Sequence, residues 1–589
     1  MASRVSEPVW QVAEPVTEQA TRPEPRPSPP ASPGGPAAGP GAEVRRTWAE
    51  AVPIGDIPVR GAALWPDAEA LVFPEARLTY SELAEDAELA ARALRAMGVG
   101  PGDHVGILMA NCPDFVRVLY GATMIGAVAV LINARYQGDD LAHVITDAGI
   151  TVLVTGDQVG QPHGLAERIE AALPDLDPSA ADGLPVASAP CLSQIVVLGA
   201  AETVAAAYVD RSRFEQLAQR VPPDEVDRLR RTVPLRSVGM MMYTSGTTSK
   251  PKGCQLSHEM VVRNGIAAGE RLDIRRGDRF WDPLPMFHMS SILPMTGCLH
   301  TGATFISMGH FDADPALELM DRERVTHAFP TFPTITQAIA NHPRFGEVDF
   351  SALRLVNNVA TPARLRELQQ LWPGAAIVTA YGSTETGGVV SFSSIDDTLE
   401  QRTDTCGKPF PGIEVRIVDG ETGAEMPTGE RGEICVRGYS LFEGYHNNPE
   451  QTGTAVDADG WFHTGDIGAV DAEGRISYLG RLKDMLKVGG ENVAAVEIEE
   501  LLQQHPAVSI AQVVGIPDDR YVEIPAAFVE LVDGVEASPE QIAQWMQGKI
   551  ATFKLPRHVR VVEEWPVAAT KIQKFRLRDQ LCAELGIPT

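Results

Sequence analysis

Residues 243–253 read YTSGTTSKPKG. Hydroxyls, glycines and lysines crowd a stretch too supple for a helix. Such a backbone can wrap a phosphate chain with N–H groups and hydroxyls, while lysine answers the charge. Pro251 stands where the Walker pattern needs Gly before Lys, so this is a different phosphate loop. It follows the apolar run 238–242, which reads as a buried strand, and precedes 258–266, which reads as a helix. A Gly-rich loop at the carboxyl end of a strand is where layered α/β proteins bind ligands.

Working outward, strand and helix patterns alternate from about residue 46. Helices are predicted over 81–97, 113–126 and 141–148, and strands over 104–109, 127–132 and 151–154. Short apolar runs recur at 195–198, 304–307, 353–356 and 377–381. The fold class expected is α/β: a large N-terminal domain of layered, mostly parallel sheets with helices. A small, mobile C-terminal α+β domain follows. Its helices are predicted over 496–503 and 539–546, and its strands over 511–514 and 526–531. The boundaries expected are 1–45 for a Pro-rich disordered tail, 46–480 for the large domain and 481–589 for the small one. Residues 156–190, rich in Pro, Ala and Asp, read as a surface insertion.

The 589 residues are 44% hydrophobic, enough for several packed cores. A net charge of −28 argues against nucleic-acid partners and anionic membranes. No apolar run is long enough for a transmembrane segment. The N-terminus carries no secretory pattern, and seven scattered cysteines form no CxxC pair. A cytoplasmic protein with free thiols is expected.

Five further strings carry chemistry. YGSTETGG (381–388) offers Tyr381 as a flat face for a purine, Thr384 as a hydroxyl for phosphate and Glu385 as a hard carboxylate for Mg²⁺. WFHTGDIG (461–468) places Asp466 after Gly465, expected in a tight turn, where a carboxylate can accept both ribose hydroxyls. GRLKDMLKVGGENV (480–493) sets Arg481, Lys483 and Lys487 before Gly489–Gly490, a charged and supple hinge candidate. PVAATKIQKFRLR (566–578) supplies Lys571 and Lys574. LPMFHMSS (284–291) offers Phe287 and His288 as a pocket wall.

These motifs, in this order over roughly residues 46–580, resemble the adenylate-forming superfamily. That superfamily holds acyl-CoA synthetases, peptide-synthetase adenylation domains and firefly luciferase. The likeness is greatest to acyl-CoA ligases of the fatty-acid, aryl-acid and carnitine type. The resemblance implies that a carboxylate attacks the α-phosphate of Mg-ATP, giving an acyl adenylate and pyrophosphate, and that CoA then displaces AMP. It implies that Thr244, Ser245, Gly246, Thr247, Thr248, Lys250 and Lys252 hold the β- and γ-phosphates. Asn358, Val359, Ala360, Ala380, Tyr381, Gly382 and Ser383 would line the adenine side. Thr384 would contact phosphate, Glu385 would hold Mg²⁺, and Asp466 with Arg481 would hold the ribose. Lys571 would bridge the carboxylate and the α-phosphate, and Lys483 would be the hinge. Gly489, Gly490 and Glu491 would face the thiol channel behind His288.

Three departures stand out: Ser249 at the loop tip, Asn357–Asn358 where the family usually has Gly-Gly, and Thr570 before Lys571. A carrier protein or another nucleophile in place of CoA is the alternative acceptor, and a non-catalytic nucleotide-binding scaffold is the remaining one. The acid is open between alkyl and aryl, and the oligomeric state is open, with a homodimer among the options.

Overall fold

A computed structural model describes residues 51–156, 164–181, 183–199, 204–244, 250–420, 422–488, 491–518, 520–568 and 571–587. The expected tail at 1–45 lies outside them, as do Ser245 to Ser249, Gly489, Gly490 and Thr570.

Two sheets form the large part. One has eight strands in the order Gly444–Tyr445, Lys252–Ser257, Val238–Thr244, Val128–Leu131, His104–Leu108, Val152–Thr155, Gln194–Val197, Tyr208–Asp210. The last six run parallel, and the first two are antiparallel. These inner strands are apolar on both faces, as burial between helix layers demands. The other sheet has seven strands and is parallel except for the edge hairpin of Glu69–Val72 and Arg77–Thr79.

The helices His258–Arg271 and Met289–Thr301 pack side by side and belong to the core that both sheets share. Their axes approach closely because Gly265 and Gly297 carry no side chain. A Cβ at Gly265 would lie 2.4 Å from the Thr296 methyl, and one at Gly297 would lie 2.8 Å from the Gly265 carbonyl.

A third sheet is wholly antiparallel: Ile413–Val418, Gly432–Gly438, Phe462–Val470, Ile476–Arg481. The C-terminal part is a separate five-stranded sheet built on Val508–Asp518 and Val522–Leu531. Helices Ala495–Gln503, Pro539–Met546 and Lys574–Leu585 pack on it around cores of their own. The α/β fold class with a small C-terminal α+β part stands as expected.

Three local expectations are corrected and one is refined. Asp466 sits in the strand Phe462–Val470, not in a tight turn, because Asp466 pairs in register with Arg481. The helix expected after the phosphate loop is present as His258–Arg271. The loop closes a hairpin in which Thr244 faces Lys252, and strand Lys252–Ser257 precedes the helix. The run 377–381 splits between two sheets, as Ala376–Val378 and Ala380–Tyr381. The supposed insertion 156–190 is partly core: Leu165, Ile169, Leu173 and Leu176 are buried against the eight-stranded sheet's outer layer. Its Pro and Asp content masked an apolar helix face at i, i+4 spacing.

Burial pushes the imidazoles of His258 and His327 down to about 4. Nδ1 of His258 accepts the Ile54 N–H at 3.1 Å, so the ring is neutral in the fold. Once unfolded, both rings regain an ordinary value near 6.5 and bind protons more readily than the native state. Stability is therefore full above about pH 6.5 and drains as pH falls toward 4, by about 1.4 kcal/mol per pH unit for each ring. Thermal melting at pH 7 and pH 5 should show a clear loss of Tm at the lower pH. His258→Asn, which cannot titrate, should flatten that loss. A Tm equal at both pH values would refute the assignment.

Candidate active site

The carboxyl end of strand Val238–Thr244 is tied down before the phosphate loop begins. The Tyr243 hydroxyl donates to Asp147 Oδ2 at 2.7 Å. His143 Nε2 donates to the Pro251 carbonyl at 2.9 Å, and His446 Nε2 donates to the Asp147 carbonyl at 3.1 Å. Both roots of the loop are thus fixed, with Thr244 half-buried and Lys250 exposed. The Ser245–Thr248 part of the expected set falls outside the described residues.

Lys252 lies with Nζ 5.5 Å from the ring centre of Tyr445. The Tyr445 hydroxyl donates to Glu385 Oε1 at 3.0 Å. Burial first, then the Glu385 charge, raises the Tyr445 phenol, so it stays a donor. Glu385 is half-buried, and the Phe442 N–H donates to its carbonyl at 2.9 Å. A hard carboxylate oxygen bonded to the tyrosine that Lys252 faces is of the type that suits a Mg²⁺–phosphate group.

The segment after Tyr381 is shaped by what fills its glycines. Gly387 has φ +74, and a Cβ there would lie 2.3 Å from Asn264 Nδ2. That amide donates to the carbonyls of Thr386, Gly387 and Val389 at 3.2, 3.1 and 3.2 Å. One buried side chain on helix His258–Arg271 therefore sets the path of 386–389. Thr384 and Glu385 sit on the short 3-10 turn Thr384–Thr386, which a hydrogen bond from the Ser383 N–H to Thr386 Oγ1 begins.

Tyr381, Asp466 and Arg481 come together as the motifs suggested. The Tyr381 hydroxyl donates to Asp466 Oδ2 at 3.0 Å, and Arg481 Nε lies 3.0 Å from Asp466 Oδ1. Burial first, then Asp466, raises the Tyr381 phenol well above its ordinary value. Tyr478 stacks on Tyr381 with ring centres 6.0 Å apart and planes at 28°.

Phe287 and His288 meet edge to face at 4.7 Å, at the start of helix Met289–Thr301. Their loop is anchored beneath. Asn111 donates to the Leu284 carbonyl at 2.7 Å and accepts the Met286 N–H at 2.8 Å. Asp282 Oδ1 accepts the Leu284 N–H at 2.7 Å, and full burial pushes the Asp282 carboxyl well up.

The amides Asn357 and Asn358 are both buried. Asn357 Nδ2 donates to Thr331 Oγ1 at 2.9 Å, and Asn358 donates to Thr336. Asn358 Nδ2 is therefore engaged by helix Pro333–Ala340, while its buried Oδ1 accepts no hydrogen bond among the described residues. Val359 and Ala360 lie nearer solvent, and Val359 is 44% exposed. Thr331 has φ +57, a costly state for a β-branched residue, and its carbonyl accepts the Val359 N–H at 2.7 Å.

On the C-terminal part, Lys571 begins the strand Lys571–Ile572, paired with Val567–Ala568. Glu491 begins the strand Glu491–Ala494, and Lys483 lies in the 3-10 turn Leu482–Asp484. Lys574, by contrast, is engaged in structure: its Nζ lies 2.6 Å from Glu499 Oε1 and 3.9 Å from Asp484 Oδ2. Sequence reasoning missed Tyr445, Tyr478 and Asn264. Each is a common residue type in a string with no signature of its own, and only tertiary contact gives it a role.

The structure thus brings Tyr381 together with Asp466 and Arg481 on neighbouring antiparallel strands, and Glu385 together with Tyr445. Residues 59–446 match the AMP-binding enzyme family, and residues 497–571 match the AMP-binding enzyme C-terminal domain. The chain belongs to this family. It is 33% identical over 534 residues to the Bacillus subtilis (strain 168) protein YngI, whose name gives acyl-CoA synthetase as a provisional assignment. That match covers 90% of this chain and 96% of the relative. It is 32% identical over 543 residues to the human mitochondrial medium-chain acyl-CoA ligase ACSF2, covering 89% and 86%. Among solved structures, the anthranilate CoA ligase AuaEII in complex with anthranoyl-AMP superposes with a TM-score of 0.78 at 27% identity. It covers 91% of this chain and 98% of that one. The protein is accordingly an AMP-forming ligase of the acyl-CoA synthetase kind. It activates a carboxylic acid with ATP and carries the acyl group on to a thioester. No helix among the described residues is long and apolar enough to cross a membrane.

Proposed function

We propose that the acid is an apolar, medium-chain alkyl carboxylate and that the acceptor thiol is CoA. The observation that carries this reading is the apolar character of the residues that the motifs assign to the acyl side. Phe287, Met289, Phe329 and Val389 are buried and uncharged. The medium-chain ligase relatives point the same way.

In this reading residues 244–252 hold the β- and γ-phosphates, Tyr381 and Tyr478 flank the adenine, and Asp466 with Arg481 holds the ribose. Glu385 would hold Mg²⁺, which neutralises phosphate charge when bound. Lys571 draws the carboxylate and the α-phosphate together against their mutual repulsion. Positioning and charge neutralisation carry most of such a reaction. The chain then turns at Lys483, on a domain boundary at 481–484. Gly489, Gly490 and Glu491 replace Lys571 at the site for thiol attack, with His288 at the channel mouth. The compartment proposed is the cytoplasm, in keeping with seven free cysteines.

The test is pyrophosphate release across alkyl acids of graded chain length and aryl acids, each with and without CoA. Release greatest for a mid-length alkyl acid and raised by CoA is expected. Preference for aryl acids would overturn the substrate class. Indifference to CoA would move the acceptor to a carrier protein or another nucleophile.

A further inference from the structure

Asp466 reaches Tyr381 only because its strand departs from regular geometry just before it. Gly465 has φ +67, and the pairing register with strand Gly432–Gly438 slips between Glu433 and Cys435. Regular extended backbone would leave ladder hydrogen bonds to hold this segment. Here side chains hold it instead. Glu433 Oε1 accepts the Gly465 N–H at 3.0 Å, and Glu433 Oε2 accepts the Nδ1 proton of His463 at 2.8 Å. His463 Nε2 lies 3.6 Å from Asp457 Oδ2, so the ring is bracketed by two carboxylates. Thr464 Oγ1 donates to the Ile434 carbonyl at 2.7 Å and accepts the Asp466 N–H at 3.1 Å. Three consecutive residues ahead of Asp466 are thus pinned by side-chain bonds, and the carboxylate doing most of it is buried.

We infer that Glu433 and His463 are a positioning pair: together they hold the Gly465 kink that aims the Asp466 carboxylate at the nucleotide ribose. This rests on the proposed reading of Asp466 as the ribose ligand. Neither residue touches the nucleotide in that reading, so each acts through Asp466.

The same residues suggest a rival occupant. Glu433, Cys435 and His463 offer ligand atoms within 4.8 Å of one another. A fixed cation already stands on the carboxylate that brackets His463 from the other side, however. Arg416 Nη2 lies 2.9 Å from Asp457 Oδ2, and Arg416 also acts on the Cys435 thiol. The His463 Nδ1 that bonds Glu433 also lies 3.5 Å from Cys435 Sγ, so the three groups already partner one another. The positioning role is the one the charges favour.

The experiment compares ATP with 2′-deoxy-ATP and 3′-deoxy-ATP in pyrophosphate release by the full chain, with kcat and KM separated. The parent enzyme should prefer ATP. Glu433→Ala should raise KM for ATP by about 10- to 100-fold with a smaller change in kcat, and should collapse the preference for ATP over its deoxy analogues. Glu433→Gln keeps an acceptor for the Gly465 N–H and should recover part of the preference. His463→Gln should behave like it, and these two carry the test if Glu433→Ala fails to fold. An Asp466→Asn variant that loses the preference while Glu433→Ala and His463→Gln keep it would overturn the positioning role alone. If Asp466→Asn also keeps it, the ribose reading itself has failed. Zinc bound stoichiometrically in the purified protein and lost in Cys435→Ser would overturn the inference in favour of a metal centre.

Discussion

Lys571→Ala abolishes acyl-adenylate formation, by about 10²–10³-fold or more, yet spares thiol attack on a supplied acyl adenylate. The reason is electrostatic. Adenylation brings a carboxylate against a triphosphate, and only a cation at the reacting oxygens offsets that repulsion. Thiol attack displaces AMP from a neutral acyl carbon and needs no lysine there. Lys571 begins a short hairpin strand at the end of the C-terminal part, a mounting consistent with entering and leaving the site. Single-turnover assays of each half-reaction check this. Equal loss of both steps would show that Lys571 is structural. Thr570, where the family usually has Gly, leaves the mounting intact if the parent enzyme adenylates at an ordinary rate. If it does not, Thr570→Gly should raise the rate.

Glu385→Ala is expected to lower pyrophosphate release by about 10²–10³-fold and to shift its Mg²⁺ dependence to higher concentration. Glu385→Gln keeps an acceptor for Tyr445 and removes the charge, so it should behave nearly as badly. Tyr445→Phe removes only the 3.0 Å hydrogen bond to Glu385 and should cost far less, about tenfold. That ranking separates a metal-holding carboxylate from a merely structural one. If Tyr445→Phe matches Glu385→Ala, the contact between the two residues matters and the charge does not.

Much of this was legible in the sequence. Strand-then-helix alternation set the fold class because period-2 and period-3.6 patterns are local. The phosphate loop was legible because Gly, Ser and Lys dominate a stretch where nothing else in the chain looks alike. Errors arose where a local pattern has two readings. TGD reads as a turn, but the strand around Asp466 was made by pairing with Arg481 and with strand Gly432–Gly438. The Pro- and Asp-rich stretch 156–190 reads as surface, although Leu165 and Ile169 bury a helix face. The single apolar run at 377–381 hid a change of sheet, because two short strands divided by one residue have the same composition as one longer strand.

The sequence by itself determined which side chains with useful chemistry exist and that the 243–253 loop follows a buried strand, since loop composition and apolar periodicity are short-range properties. Tertiary structure alone decided which of them meet. Tyr381 bonds Asp466 across 85 residues, and Glu385 bonds Tyr445 across 60. No local propensity encodes such distances. They follow from sheet order, from the close crossing of two helices at Gly265 and Gly297, and from the desolvation that makes each buried polar group seek a partner.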